Sequence, residues 1–321
     1  MAITYGNIFS EEQYISVAES AALYFRERSK AVYIPLIETV LRDSRQYRHR
    51  VFGDAKASFG TSDWVSKGTK ARSKPGHLDF ELSAVEMILE IPNDNINQYN
   101  HDNLLSEARQ AEIERWIEDI DNAIFHGILD EAGQVHLGEG LLGRGANTIE
   151  NISSGADEDL STKGEIYKGV KNMIEEIPFR IRESLPEGVD VFVSSNLDSE
   201  VREPDRIYQD KIEFDFIYEN MIGKKASPAL KIRNWIVTDK VLAEATDDTG
   251  GVNADTVDTQ GTHDRILVVA PDKRLVARVV SLWDLISERR KDFHVKQIWG
   301  WRGNPCVFDE EGIKYSEALT V

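Results

Sequence analysis

The side chains that do chemistry are all present in this 321-residue chain, but not at the spacing of a catalytic site. Its seven histidines, His49, His77, His101, His126, His136, His263 and His294, are scattered, with no HExxH pair and no close run of metal ligands. The stretch GEGLLGRG (138–145) has glycines enough to wrap a phosphate, yet it lacks the Lys-Ser/Thr ending and follows no strong strand. No GxSxG elbow offers a serine nucleophile. Asp247, Asp248, Asp255 and Asp258 could hold a calcium ion, but their spacing is not that of an EF-hand, and a solvated loop is the simpler reading. Glu112, Glu114, Glu118, Asp119 and Asp121 read as the solvent side of a helix rather than an acid and base pair. Trp299 and Trp301 lie near Cys306 in one β segment, where core or interface packing is a better account than a cofactor pocket. A single cysteine excludes an internal disulfide framework and a Cys-based zinc site. No catalytic, cofactor or metal site is predicted, and the chain does not read as an enzyme.

The elements around these residues are more telling. Residues 102–127, DNLLSEARQAEIERWIEDIDNAIFHG, form one uninterrupted amphipathic pattern. Leu105, Ala108, Ile113, Trp116, Ile117, Ile120 and Ile124 recur at the period of a single buried stripe. Asp102 can cap the start, and Gly127 stands where a left-handed cap is expected. Such a helix is roughly 37 Å long, a spine for the strands on either side.

Ahead of the spine, residues 11–32 and 33–47 have helical patterns separated near Pro35, giving an N-terminal arm that becomes extended from Val51. Residues 51–84 carry Gly53, Gly60, Gly68, Pro75 and Gly76 and read as a long β-hairpin with a basic tip or, equally well, as a flexible surface loop. Strand 84–92 closes it. Behind the spine, 128–145 is predicted irregular and the next polar stretch a linker. A helix over 162–184 is capped by Ser161 or Thr162, followed by a buried strand in GVDVFVSSN and a helix over 197–214 broken near Pro204. Strands are expected in 230–242, 264–282 and 293–309, the last returning to the sheet begun by Val85–Ile91. Residues 311–321 form a short tail ending in an apolar strand or contact.

An apolar fraction of 41% supports a real core, and no run of about 18 apolar residues spans a membrane. The N-terminus lacks the pattern of a secretory signal, so synthesis in a cytosol is expected. Net charge is −18, against a protein coated all over by nucleic acid. Residues 1–50 carry +1, however, leaving −19 on the rest. A weakly basic arm on an acidic body suits one face touching a polyanion, although a solvated helix face explains the same charges.

In element order the chain resembles the major capsid proteins of tailed double-stranded DNA viruses with the Hong Kong 97 fold. MILEIP (87–92) entering the long helix, AIFHG (123–127) leading to GLLG (140–143), and the strands VDVFVSS, IVTDKVL, DRILVVAPDKRLVARV and FHVKQIWGWRGNPCVF carry the resemblance. It covers about residues 50–321. The resemblance implies an α+β Hong Kong 97-like capsid fold. Its parts would be an N-terminal arm (1–50), an E-loop (51–84), a peripheral domain with the spine helix (85–150 and 292–307) and an axial domain (151–291 and 308–321).

It further implies a structural protein that self-assembles into hexamers and pentamers of an icosahedral shell enclosing double-stranded DNA. The partners would be other copies, a portal, scaffold or decoration proteins, and packaged DNA on the inner face, with no membrane. The implied location is the virion capsid, assembled in the host cytoplasm. Only about 50 residues precede the E-loop, so a separate scaffold, or none, is implied. Some members cross-link through an E-loop lysine, but no motif here identifies a partner asparagine. Projecting elements cannot bury their apolar residues in their own subunit, making Phe59, Trp64 and Phe80 candidate intersubunit anchors. Basic Lys67, Lys70, Arg72 and Lys74 would meet acidic neighbours. Arg42, Arg45, Arg48 and Arg50 are the candidate genome-facing residues. The same fold also serves encapsulin-like nanocompartments enclosing cargo enzymes, and a soluble α/β metabolic enzyme is the reading from a different class.

Overall fold

Among the described residues, three apolar cores, one of them built on a single long helix, organise the fold. The computed structural model describes residues 25–38, 46–52, 75–92, 101–129, 135–144, 148–149, 163–223, 226–241, 264–291 and 294–316. Helix α1 (His101–His126) runs unbroken for 26 residues, as its apolar period predicts. Ile113, Trp116, Ile117, Ile120, Ala123, Ile124 and Phe125 are buried, whereas Glu112, Arg115, Glu118 and Asp119 face solvent. The side chains of Leu105 and Ala108 lie outside the described set. The predicted left-handed cap at Gly127 is not what ends the helix. Gly127 instead opens strand β5 (Gly127–Leu129), which pairs with β6 (Val135–Glu139) and leads to the short helix α2 (Leu141–Arg144). These elements replace the irregular chain expected over 128–145.

Gly140 explains the tight return. A Cβ there would stand 2.3 Å from His126 N and Phe125 O, so only glycine lets the chain cross the helix end. Gly140→Ala is expected to cost about 3 kcal/mol, because the obstacle is backbone rather than a movable side chain. An unfolding free energy from urea titration within about 1 kcal/mol of the parent would contradict this packing.

One face of α1 lies on a four-stranded sheet in the order β1 (Leu36–Glu38), β13 (Val276–Lys291), β14 (His294–Val307), β4 (Ser83–Pro92). β14 is antiparallel to both neighbours, the predicted return to the strand that enters the spine. Met87, Trp299 and Trp301 meet Trp116, Ile117, Ile120 and Ile124 in one core. The helical reading of 33–47 fails at its two described ends, where Leu36–Glu38 and the start of Gln46–Phe52 are strands, and residues 39–45 lie outside the described set. After a 3-10 turn at Lys30–Tyr33 the chain becomes β1, parallel to β13, and Arg278 N donates to Pro35 O at 2.8 Å. A waiting sheet edge overrides local propensity there.

The hairpin pairs β2 (Gln46–Phe52) with β3 (Pro75–Glu81), so its first strand starts before Val51. Its root is fixed by Tyr47 against Phe308, ring centroids 6.2 Å apart, beside Leu82, Val279 and Cys306.

The other side of α1 meets a mixed five-stranded sheet ordered β11 (Ile232–Val237), β8 (Val189–Val193), β12 (Ile266–Val269), β15 (Ile313–Ser316), β7 (Thr148–Ile149). Alternation along β8 and β12 divides their side chains. Phe192, Leu267 and Val269 join the spine core, while Val191, Val193, Ile266 and Val268 join a second core under helix α3 (Glu165–Glu176). The sheet is therefore covered on both faces, and VDVFV is buried throughout.

Pro178 separates α3 from α4 (Phe179–Glu183). Helix α5 (Ser195–Val201) matches the start of the predicted 197–214 helix, but the rest is a tight hairpin, β9 (Ile207–Tyr208) to β10 (Lys211–Ile212), then α6 (Glu213–Ile217). Gln209 and Asp210, at φ of 49° and 65°, make its two-residue turn, the left-handed pair that matches strand twist.

Candidate functional site

The predicted contact residues divide by what is described. Phe59, Trp64, Lys67, Lys70, Arg72, Lys74, Arg42 and Arg45 lie outside the described residues. Phe80 is registered with Tyr47 at the hairpin root, and Arg50 with His77. Arg48 is exposed on β2, opposite Asp79. No group of His, Cys, Asp or Glu among the described residues could hold a metal, and no described helix is long and apolar enough to cross a membrane. Trp299, Trp301 and Cys306 are buried packing residues, and Gly140 and Leu141 of the phosphate-loop lookalike are packed against the spine core.

The built polar site is elsewhere, where the arm crosses the spine. Ser29 Oγ donates to Asp121 Oδ1 at 2.5 Å, and Lys30 N donates to Oδ2 at 2.9 Å. Asp121 is only 4% exposed, which corrects its reading as a solvent-side carboxylate. The signal was there: Asp121 stands one turn after Ile117, inside the apolar stripe. Burial pushes its carboxyl above the ordinary range, opposed by the bonds from Ser29 and the Lys30 and Ala31 backbone.

Further along the arm, Arg278 Nε donates to Ile34 O at 3.1 Å, its guanidinium lies 4.8 Å from the Phe25 ring centre, and Arg233 Nη2 donates to Tyr33 O at 3.4 Å. Arg233 also pairs with the buried Asp190. The arm from Phe25 to Glu38 thus touches the spine and both sheets.

A cleft of about 410 Å³ opens beside this crossing, lined by Lys30, Glu118, His126, Ser195, Thr238 and Lys240 among others. Two of its charged side chains are paired with each other, Lys240 Nζ meeting Glu118 Oε1 at 3.0 Å, and Asp239 Oδ1 accepts from Ser195 N at 3.0 Å. His126 is held neutral. Burial first, then Arg265 and Lys240, lower its pKa to about 3, making it a poor proton acceptor near neutrality.

A histidine with its folded pKa depressed stabilises fully above its unfolded pKa and loses that contribution as pH falls toward the folded one. Between pH 6.5 and 5 the loss is about 2 kcal/mol. The difference in unfolding free energy between the parent and His126→Gln should shrink by that amount over this range; a pH-independent difference would contradict the buried neutral imidazole.

A second buried network was invisible to local pattern. Glu213, fully buried, accepts from Gly164 N at 3.0 Å and Tyr167 N at 2.8 Å, and from Arg206 Nε at 2.6 Å. It caps α3 in place of Ser161 or Thr162, which lie outside the described residues; the N-cap position is Gly164, at φ +88°.

Among the described residues, the exposed large apolar side chains come from separate elements of the chain. Ile88 is 47% exposed on β4, Phe179 55% on α4, Ile207 53% on β9, and Tyr218 52% just after α6.

No family model matches the chain, and no curated protein matches it. Solved structures do. The capsid of Myoviridae Phage XM1 superposes with a TM-score of 0.56 at 12% identity, covering 98% of this chain and 94% of that one. The capsid of a native GTA particle gives 0.54 at 11%, covering 100% and 94%. The mature capsid of bacteriophage PhiM1 gives 0.53 at 15%, covering 100% and 92%.

Proposed function

We propose that this chain, which has the Hong Kong 97-like capsid fold, is a major capsid protein. Its copies assemble into hexamers and pentamers of an icosahedral shell around a double-stranded DNA genome. The observation that carries this is end-to-end likeness: the match to a phage capsid spans 98% of this chain and 94% of that one, from arm to tail. The subunit's physics supports it. Exposed apolar residues such as Ile88, Phe179 and Ile207 suit a chain that packs against neighbours, whereas one concave pocket with converging groups would suit an enzyme.

In this reading residues 1–50 are the arm and 51–84 the E-loop, with β2 of the hairpin already begun at Gln46. The peripheral domain is 85–150 with 292–307, joined by β13 through its ladder to β14, and the rest is axial. Phe59, Trp64 and Phe80 anchor on a neighbour, Lys67, Lys70, Arg72 and Lys74 meet its acidic surface, and Arg42, Arg45, Arg48 and Arg50 face the genome. Portal, scaffold or decoration proteins complete the particle, which forms in the host cytoplasm. We assign no enzymatic step.

Sedimentation of the purified full chain across salt and pH tests the class: large particles with discrete capsomer intermediates support it, and a lone monomer or dimer at every condition refutes it. Gene neighbours separate a virus, with portal, terminase and protease genes, from a nanocompartment, with a cargo enzyme.

A further inference from the structure

We propose that residues 25–38 are an intramolecular strap that sets the angle between the two sheets, and that releasing it changes the curvature of the assembled shell. The curvature half rests on the shell reading; the strap half does not.

The two sheets share one apolar core around α1, with Phe125 and Phe192 edge to face at 5.6 Å. Apolar burial holds surfaces together but is non-directional, so it resists separation better than rotation. Directional bonds are what fix an angle, and the strap supplies them to all three bodies.

Its Ser29 and Lys30 are bonded to Asp121 of the spine. Ile34 O and Pro35 O accept from Arg278, and β1 pairs with β13, tying it to the four-stranded sheet. Tyr33 O accepts from Arg233, and the Tyr33 ring stands 6.5 Å from Phe192, tying it to the five-stranded sheet. Phe25, Ala31 and Ile34 are buried in the shared core, so the strap is seated rather than draped.

Asp121 is the latch. It is a buried carboxylate that accepts the Ser29 hydroxyl and the first N–H of the 3-10 turn Lys30–Tyr33. Without it, those donors are left buried and the turn loses its start.

The test uses the full chain with Cys306→Ser, spin-labelled at Glu86→Cys on β4 and Asp205→Cys before β9, both exposed positions. Labelled chain is diluted into unlabelled chain, so each distance comes from one subunit, assembled or not. The parent should give one narrow distance. In Asp121→Ala the amides of residues 29–34 and 36–38 should exchange about 10-fold faster or more, while those of 113–126 keep their protection, and the distance should broaden or shift.

Unchanged strap exchange, or faster exchange with an unchanged distance, would overturn the strap. If Asp121→Ala does not fold, Ser29→Ala removes one bond and should move both readouts in the same direction by less; faster exchange without a distance change overturns the idea there too. Particle diameters by electron microscopy test the curvature half: a shifted or widened distribution is expected, and an identical one refutes it. If the parent forms no particles, the shell reading fails while the distances still judge the strap.

Discussion

Glu213→Ala lowers the unfolding free energy of the subunit by about 3–5 kcal/mol, the largest loss expected from a single polar substitution here. The carboxylate is fully buried and holds three donors at once. Two are backbone N–H groups at the start of α3, so their loss uncaps the helix whose Ile166, Val170, Met173 and Ile174 floor the second core. The third is Arg206, itself 3% exposed, which also pairs with Glu200. Removing one carboxylate from a buried arginine adds to the cost of the uncapped helix. Glu213→Gln keeps the shape but not the charge, and should lose less, about 2 kcal/mol. Urea unfolding with an unchanged slope is the measurement. A loss under about 1 kcal/mol for the alanine variant would show that the network is dispensable.

Replacing residues 53–74 by a two-residue Asn-Gly turn abolishes particle formation while leaving subunit stability within about 1 kcal/mol of the parent. The ladder from Gln46 to Phe52 against Pro75 to Glu81 ends in register at Phe52 and Pro75, where a short turn can close it. The root remains pinned by Tyr47 on Phe308. What is removed is Phe59, Trp64 and the basic Lys67, Lys70, Arg72 and Lys74, residues whose partners in the shell reading belong to a neighbour. Burying a large aromatic anchor at an interface contributes a disproportionate share of binding, so losing two should leave unassembled subunits or isolated capsomers. A shortened chain that assembles as fully as the parent would remove the hairpin from the assembly mechanism.

These outcomes depend on features that differ in how far the sequence discloses them. Helix α1 was legible because one stripe repeats through Ile113, Trp116, Ile120 and Ile124, and β8 because VDVFV is apolar between turn residues. The return of β14 to β4 followed from chain order alone.

What was hidden is what depends on distant partners. β1 exists because β13 offers an edge some 240 residues away in sequence, as the register of Leu36 with Arg278 shows. Glu213 caps a helix that starts 48 residues earlier, at Glu165, and no local rule connects them. Gly127 and Gly140 were visible as glycines, but not that the second clears the backbone of the helix the first ends. Asp121 differs from these: it stands in the apolar stripe, and its position rather than its charge decides its burial. Residues 53–74, with Phe59, Trp64 and their basic neighbours, are legible as composition only.

The central claim is that this chain builds a closed shell, and electron microscopy of the full chain, expressed alone and purified, tests it most directly. Closed particles tens of nanometres across, with hexameric and pentameric capsomers, are the expected result. A uniform monomer or dimer under every assembly condition would contradict it.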